Sequence, residues 1–354
     1  MPAQKTHAKQ NSQKTANVGL SASKAERILS QASKSKVLVI GDVMLDQFIY
    51  GNAHRISPEA PVPVVDFERQ SSMPGGAGNV ARNLASLGVP TELFGVVGND
   101  AAATELVKLL REQNIGSTGL TISTIHPRET TTKMRIIADR QQLVRIDRET
   151  RDPISKLSTN LILSAVKREL PGTRAVIISD YGKGMITKEV FDTVKKLCQD
   201  HDIWLGIDPK FSHHIDLKGI SLIKPNRKVA FEMAKWHDQT KTANPLNDFN
   251  LMQVSEKLLA ELQPKVLMIT LGEQGMLICR PGRRPIHLPT TAQEVFDVSG
   301  AGDTTIATFT MAISAGASPI EAAIMSNHAA GIVVGKVGTA TVSPEELLKS
   351  FRRR

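Results

Sequence analysis

From residue 34 onward, short β-branched runs alternate with stretches whose apolar residues fall at i, i+3 and i+4, as Leu106, Leu109 and Leu110 do. This alternation constrains the fold more than any other feature. It is the pattern of βαβ units, in which crossover helices force neighbouring strands to lie parallel and cover the sheet they connect. Strands are expected over 36–41, 91–97, 175–180, 203–208, 221–223, 265–271 and 275–279. Helices are expected over 77–87, 101–113, 155–168, 188–198, 251–262, 302–315 and 319–334. The fold class is α/β, with a mostly parallel central sheet flanked by helices. Two segments break the rhythm, near 47–70 and 128–148, and both contain extended pieces too short and too closely connected for crossover helices. The second reads as a hairpin over Thr130–Ala138 and Leu143–Asp147. A small β lid over the functional edge of the sheet is the economical reading, because closure would keep water from a reacting phosphate.

Composition excludes several classes. At 354 residues and 41% hydrophobic the chain buries a sizeable core, so it is neither disordered nor fibrous. Its two cysteines, Cys198 and Cys279, are far apart and lack metal-ligand spacing, which argues against a disulfide framework or structural zinc and fits a reducing cytoplasm. No apolar stretch approaches the ~20 residues of a membrane helix, and the N-terminus lacks the apolar core of a signal peptide. The net charge of +9 is concentrated partly in Lys5, Lys9, Lys14 and the final arginines. With only 4% aromatic residues, it suits an anionic small molecule better than nucleic acid. Residues 1–33 are expected to be a disordered tail and lead-in, followed by one domain over 34–350.

The chemistry concentrates in Asp297-Val298-Ser299-Gly300-Ala301-Gly302-Asp303, which opens a long helix of small residues. Gly300 and Gly302 allow a tight turn that leaves first-turn amides facing outward as an anion site, reinforced by the helix dipole. Asp303 then either caps the helix or accepts a proton from an attacking hydroxyl. A second glycine turn, Gly75-Gly76-Ala77-Gly78-Asn79, opens another helix and can present backbone and an amide to a polyol. Neither turn is a dinucleotide or Walker fingerprint. Gly41-Asp42 through Asp46 places two acids at the end of the first strand, where open α/β sheets hold ligands, although turn carboxylates explain them equally well.

The pairing of that Gly-Gly turn with the C-terminal GAGD loop resembles the ribokinase (PfkB-type) carbohydrate kinases over residues 35–345. Within the family, the strings Arg55–Val64, Thr130–Lys133, Gln141–Arg145 and Ser179–Gly184 resemble the kinases of D-glycero-β-D-manno-heptose 7-phosphate. Related bifunctional enzymes carry a nucleotidyltransferase domain after the kinase; ending at Arg354, this chain is expected to be a stand-alone kinase.

The resemblance implies a ribokinase-like fold, ATP and Mg²⁺ with room for potassium, and transfer to the anomeric hydroxyl of the heptose phosphate in lipopolysaccharide core biosynthesis. It makes Asp303 the catalytic base and the amides of Gly300, Ala301 and Gly302 the anion hole. Asp46, Gly75, Gly76, Asn79, Asp180 and Lys183 fall at sugar or phosphate positions. Asn226, Arg227, Lys228, Gly272, Gly275, Ser299 and Asn327 fall on the nucleotide side.

One departure stands out: where the family has Asn-x-x-Glu, Val229 occupies the third position after Asn226, and the nearest acid is Glu232. Either Glu232 substitutes one turn later, or ATP oxygens and water hold the metal. The substrate's own phosphate needs cations, for which Arg55, Lys133, Arg135, Arg140 and Arg145 in the lid segments are candidates, each equally explicable as a solvated lid charge. Exposed lid edges suggest a homodimer through the lid. The rival readings are a family kinase acting on another sugar, an inactive sugar- or nucleotide-binding protein of the same fold, and a nucleic-acid role for the basic tail.

Overall fold

The computed structural model describes residues 19–123, 128–210 and 215–352. The core is a nine-stranded sheet in the order β13-β12-β11-β10-β9-β8-β1-β4-β5. Its central strands are β1 (Lys36–Gly41), β4 (Thr91–Val97), β8 (Thr173–Ser179), β9 (Trp204–Asp208), β10 (Leu222–Ile223) and β11 (Val266–Thr270), all parallel. The parallel β5 (Gly116–Ile122) closes one edge, and the antiparallel pair β12 (Met276–Cys279) and β13 (Ile286–Leu288) closes the other. Central strands such as β1 and β8 are buried on both faces, as their Val- and Ile-rich runs require.

Two apolar layers flank the sheet. One joins it to helices α1 (Ala22–Ala32), α2 (Ala77–Ser86), α3 (Ala101–Glu112), α8 (Ala301–Ser314), α9 (Pro319–Val333) and α10 (Pro344–Arg352). The other joins it to α4 (Lys156–Glu169), α5 (Lys188–Asp200), α6 (Arg227–Met233) and α7 (Phe249–Leu262). Beside this body lies a four-stranded sheet, β3-β2-β6-β7. There β2 (Val43–Ile56) and β3 (Pro63–Gly76) form a long hairpin, and β6 (Thr131–Ala138) and β7 (Gln141–Arg148) a short one. The short hairpin turns at Asp139 and Arg140, both with positive φ, the backbone of a type I′ turn.

Several expectations need correction. The lead-in is not disordered throughout: Ala22–Ala32 is a helix capped by the Ser21 hydroxyl, burying Ala25, Ile28, Leu29 and Ala32 and pairing Lys24 with Glu321 of α9. The tail over 1–18 lies outside the described residues. Helices α6 and α10 and strands β5 and β13 were not expected, and the first lid segment is longer than anticipated, its strands running from Val43 to Gly76.

Candidate active site

The central strands deliver polar residues to one end of the sheet. Asp42 follows β1, Asp180 follows β8, Asp208 ends β9 and Lys224 follows β10. Strand order reverses around β1, whose neighbours are β4 and β8, and crevices at such switch points are where open α/β sheets bind ligands.

Asp42 works within the protein. Its carboxylate accepts backbone N–H groups from Tyr181 at 2.7 Å, Lys183 at 3.1 Å and Met185 at 3.1 Å, which shapes the loop after β8. Burial raises its pKa, and these three bonds oppose the rise. Arg128 braces the same loop through the Lys183 carbonyl.

The GAGD loop closes against this crevice. The Val298 carbonyl accepts the Ala301 N–H at 3.2 Å across a turn in which Gly300 has φ 79° and ψ −1°, the type II geometry that favours glycine at that position. A Cβ on Gly300 would stand 2.7 Å from Asn79 Nδ2. The three-amide anion hole therefore needs revision, because the Ala301 N–H is spent on the turn. Among the described residues the N–H groups of Gly300 and Gly302 have no acceptor, and they remain available at the N-terminus of α8. Gly302 is open on its Cα side: a Cβ there would lie 3.4 Å from Lys224 Nζ and 3.7 Å from Asp208 Oδ2. Lys224 and Asp208 form a 2.7 Å ion pair, with the lysine only 2% exposed.

Asp303 does not cap its helix. It sits within the first turn, 6% exposed, with Oδ2 accepting Asn79 Nδ2 at 2.8 Å and Oδ1 accepting the Tyr181 hydroxyl at 2.6 Å. Burial pushes its pKa up to about 6, against the pull of the two hydrogen bonds and of Lys224, while Asp208 adds to the rise. Asn79 is itself oriented, since Arg82 Nη1 donates to its Oδ1 at 3.2 Å. The next residue, Thr304, donates at 2.8 Å to Asn83, one turn beyond Asn79 on α2, a second polar stitch between α8 and α2.

The second glycine turn serves the neighbouring carboxylate. Gly75 leaves room for Asp46, whose Oδ2 a Cβ would meet at 2.1 Å, and Gly76 adopts φ +56° at the mouth of α2. Asp46 is buried and paired with Arg135 at 2.6 Å. Lys133, opposite Asp46 on β6, bonds Asp147 at 3.0 Å and lies 3.6 Å from Glu149, which also pairs with the buried Lys183 of the core loop. Burial alone would push the Glu149 carboxyl up, but bonds from Lys183 and Arg151 and the nearby lysine charges hold it down to about 2. Arg145 is spent on Asp147 at 2.8 Å. Asp180 is buried with its pKa raised to about 7, by burial first and by Asp42 and Asp208 after it, despite the Gly182 N–H bond.

Other expected site residues lie apart from this cluster. Arg55 is 65% exposed on the lid hairpin and 4.0 Å from Asp66, and Arg140 sits exposed in the hairpin turn. Asn226 caps α6 by accepting the Val229 N–H at 2.9 Å. The Arg227 guanidinium is committed to Asp238 and Asp248 at 2.7 and 2.8 Å, while Lys228 is exposed beside Glu232 at 3.9 Å. Glu232 thus faces a lysine, and among the described residues no group of three His, Cys, Asp or Glu could hold a metal ion. Gly275 is a structural necessity, since a Cβ would overlap the Leu288 carbonyl at 2.1 Å, whereas Gly272 has open space. Ser299 is exposed, and its N–H is taken by Asp297 at 2.8 Å. Asn327 donates to the Pro289 carbonyl at 2.7 Å. Next to it a cavity of about 430 Å³ opens between Thr291, Glu294, Gly331 and Lys349.

The sequence reading gave no role to Tyr181, Asp208 or Lys224. The last two were findable, because a charged residue directly after a buried strand in an α/β sheet stands at the ligand-binding end.

A deeply buried carboxylate fixed by two donors stands beside unengaged amides at a helix N-terminus, an arrangement able to bind an anion and to accept a proton from a neighbouring hydroxyl. The chain belongs to the pfkB family of carbohydrate kinases, whose model matches residues 34–346, and it is a sugar kinase. It is similar to the bifunctional protein HldE of Sulfurimonas denitrificans, 41% identical over 312 residues, covering 88% of this chain and 63% of that protein. HldE of Yersinia enterocolitica is 41% identical over 321 residues, covering 91% and 64%. The chain thus spans less than two thirds of the length of these relatives. Among solved structures, Arabidopsis thaliana ribokinase complexed with ribose and ATP superposes with a TM-score of 0.67 at 19% identity, over 91% of this chain and 99% of that one. Escherichia coli phosphofructokinase-2 in complex with potassium gives 0.72 at 18%, over 90% and 98%. These establish a ribokinase-like fold. No helix among the described residues is long and apolar enough to cross a membrane.

Proposed function

We propose that the chain transfers the γ-phosphoryl group of ATP to the anomeric C1 hydroxyl of D-glycero-β-D-manno-heptose 7-phosphate, giving the 1,7-bisphosphate on the route to ADP-heptose and the lipopolysaccharide core. The observation that carries this reading is Asp303, buried and held at both oxygens beside the free amides of Gly300 and Gly302. As the sugar oxygen bonds to phosphorus and the bond to ADP breaks, the hydroxyl proton passes to Asp303. The transition state of such a transfer is loose, so positioning and charge neutralisation do most of the work. The amides meet the phosphoryl oxygens, and the missing side chain of Gly302 lets Lys224 approach the same oxygens. Mg²⁺, when bound, would neutralise charge on the ATP phosphates; among the described residues no group of three ligands would hold it without the nucleotide.

On the sugar side, Asp46 and Asn79 offer an acceptor and an amide to hydroxyls, with Gly75 and Gly76 keeping the wall low. Lys133, Arg135 and Lys183, gathered where the lid meets the core and half-buried or buried there, are the cations for the remote phosphate once it displaces their present partners Asp147, Asp46 and Glu149, in preference to the more exposed Arg55 and Arg145. The cavity beside Asn327 is within the size range of small-molecule sites and is where we place the nucleoside. Support for the heptose comes from the likeness to the HldE proteins. Exposed apolar residues on the lid, Phe67 at 65% and Ile146 at 50%, support a homodimer through that sheet.

The test is a substrate panel with Mg·ATP and product identification by phosphorus NMR. Robust turnover of heptose 7-phosphate with a new anomeric phosphate resonance is expected. Equal or faster turnover of free ribose, fructose or fructose 6-phosphate would refute the heptose assignment.

A further inference from the structure

Tyr181 lies in the loop after β8, and the proton transfer described above gives it no task. We propose that Tyr181 is a positioning residue for the phosphoryl-transfer step, its phenol fixing the plane of the Asp303 carboxylate and so the lone pair offered to the acceptor hydroxyl. The inference rests on reading Asp303 as the base.

The geometry supports it at three points. First, the Tyr181 oxygen stands 2.6 Å from Asp303 Oδ1, the short range of a hydroxyl bound to a charged acceptor. Because Asn79 holds Oδ2 from the α2 side, the two donors come from separate elements and together stop rotation of the carboxylate about its Cβ–Cγ bond. Each oxygen keeps one unshared pair for the substrate.

Second, the phenol keeps its proton and so donates a hydrogen bond to the carboxylate. Burial, Asp303, Asp208 and Asp46 all raise the Tyr181 pKa well above the ordinary value, so the hydroxyl keeps its proton throughout turnover. The proton removed from the sugar hydroxyl ends on Asp303, and the O–H bonding pair becomes part of the new O–P bond.

Third, the tyrosine is anchored independently of its ring. Its N–H donates to Asp42 at 2.7 Å, and Lys210 Nζ reaches its carbonyl at 3.4 Å.

The charged surroundings of Asp303 leave this role open. Asp208 approaches from the end of β9 and Lys224 from beyond β10, but they are committed to each other at 2.7 Å. From α2, Arg82 contacts Asn79 rather than Asp303, and from β2, Asp46 bears on the tyrosine. Tyr181 and Asn79 are therefore the groups that directly offset the cost of burying an ionised carboxylate.

The experiment compares pH profiles of kcat and kcat/KM for the wild-type chain, Tyr181→Phe, and a chain with a fluorinated tyrosine at 181, whose more acidic phenol is a stronger donor. For Tyr181→Phe the acid limb is expected to move up by about one pH unit, as the loss of one charge-assisted bond implies. The plateau kcat should fall about ten- to a hundredfold with little change in KM for ATP. The fluorinated chain should show the acid limb moved down. A Tyr181→Phe enzyme with wild-type limb and plateau overturns the inference, as does a fluorinated chain whose limb does not move. The fluorinated chain keeps the shape of tyrosine, so it decides the matter even if Tyr181→Phe folds poorly. Absence of sugar-kinase turnover in the wild-type chain would instead refute the function on which the inference rests.

Discussion

Replacing Gly300 by alanine tests how the anion loop and the base are joined. Alanine must adopt φ 79°, a left-handed backbone that costs a side-chain-bearing residue about 1–2 kcal/mol in stability. Its Cβ would also stand 2.7 Å from Asn79 Nδ2, closer than carbon and nitrogen tolerate, so the amide must swing away from Asp303, which it now contacts at 2.8 Å. A hydrogen bond to a charged group contributes about 1.5–3 kcal/mol, and at about 1.4 kcal/mol per tenfold this predicts a kcat lowered roughly ten- to a hundredfold. The assay is a double-mutant cycle on kcat with Asn79→Ala, alongside urea unfolding of each variant. Both single variants should lose activity to a similar degree, and the double variant should lose no more than either while still carrying the stability loss of the alanine. Additive effects on kcat, or full activity of Gly300→Ala, would refute the coupling.

Other outcomes follow from the same geometry. Asp303 must be ionised to accept a proton and its pKa is raised to about 6, so kcat/KM should fall as pH drops through about 6; a limb near 4 would contradict the buried setting. Asp180 is held at about 7 against an unfolded value near 3.8, so the folded state binds more protons across that window and stability declines as pH rises through it. Asp180→Asn should therefore raise stability at pH 8, by at most about 4 kcal/mol and visible as a higher Tm, and much less at pH 4; equal shifts at both would exclude this cause. Lys183→Met removes one charged hydrogen bond from the half-buried Glu149 carboxylate, which keeps Arg151 and Lys133, and should cost about 1.5 kcal/mol in urea unfolding. Adding Glu149→Gln should restore most of that loss, and a double variant no better than the single would show that the pair is not coupled.

The sequence made the core strands and the two glycine turns legible because each rests on local physics: continuous apolar runs mark doubly buried strands, and glycines before a helix mark a tight turn at its N-terminus. Of the elements missed, three escaped for different reasons. β5 reads Gly-Ser-Thr-Gly, a loop by propensity, and becomes a strand only through pairing with β4 at the sheet edge. α1 did announce itself, with Ser21 as cap and Ala25, Ile28, Leu29 and Ala32 on one face, but the basic tail before it drew the boundary too late. α6 spans only seven residues, Arg227–Met233, too few for a period to show. In the site, Asp303 and Asn79 were legible from their motifs, yet their contact across 224 residues was not, and neither was the tyrosine that completes it. The Ala301 amide was misjudged because a turn bond inside the loop takes it, a detail of backbone geometry with no signature in residue type.

The most direct measurement is the turnover of Asp303→Asn with Mg·ATP and heptose 7-phosphate, set beside its affinity for ATP. Asparagine preserves the shape and removes the proton acceptor, so kcat should fall by about 10²–10⁴ while ATP binding changes little. Turnover within a few-fold of the wild-type chain would contradict proton transfer to this carboxylate.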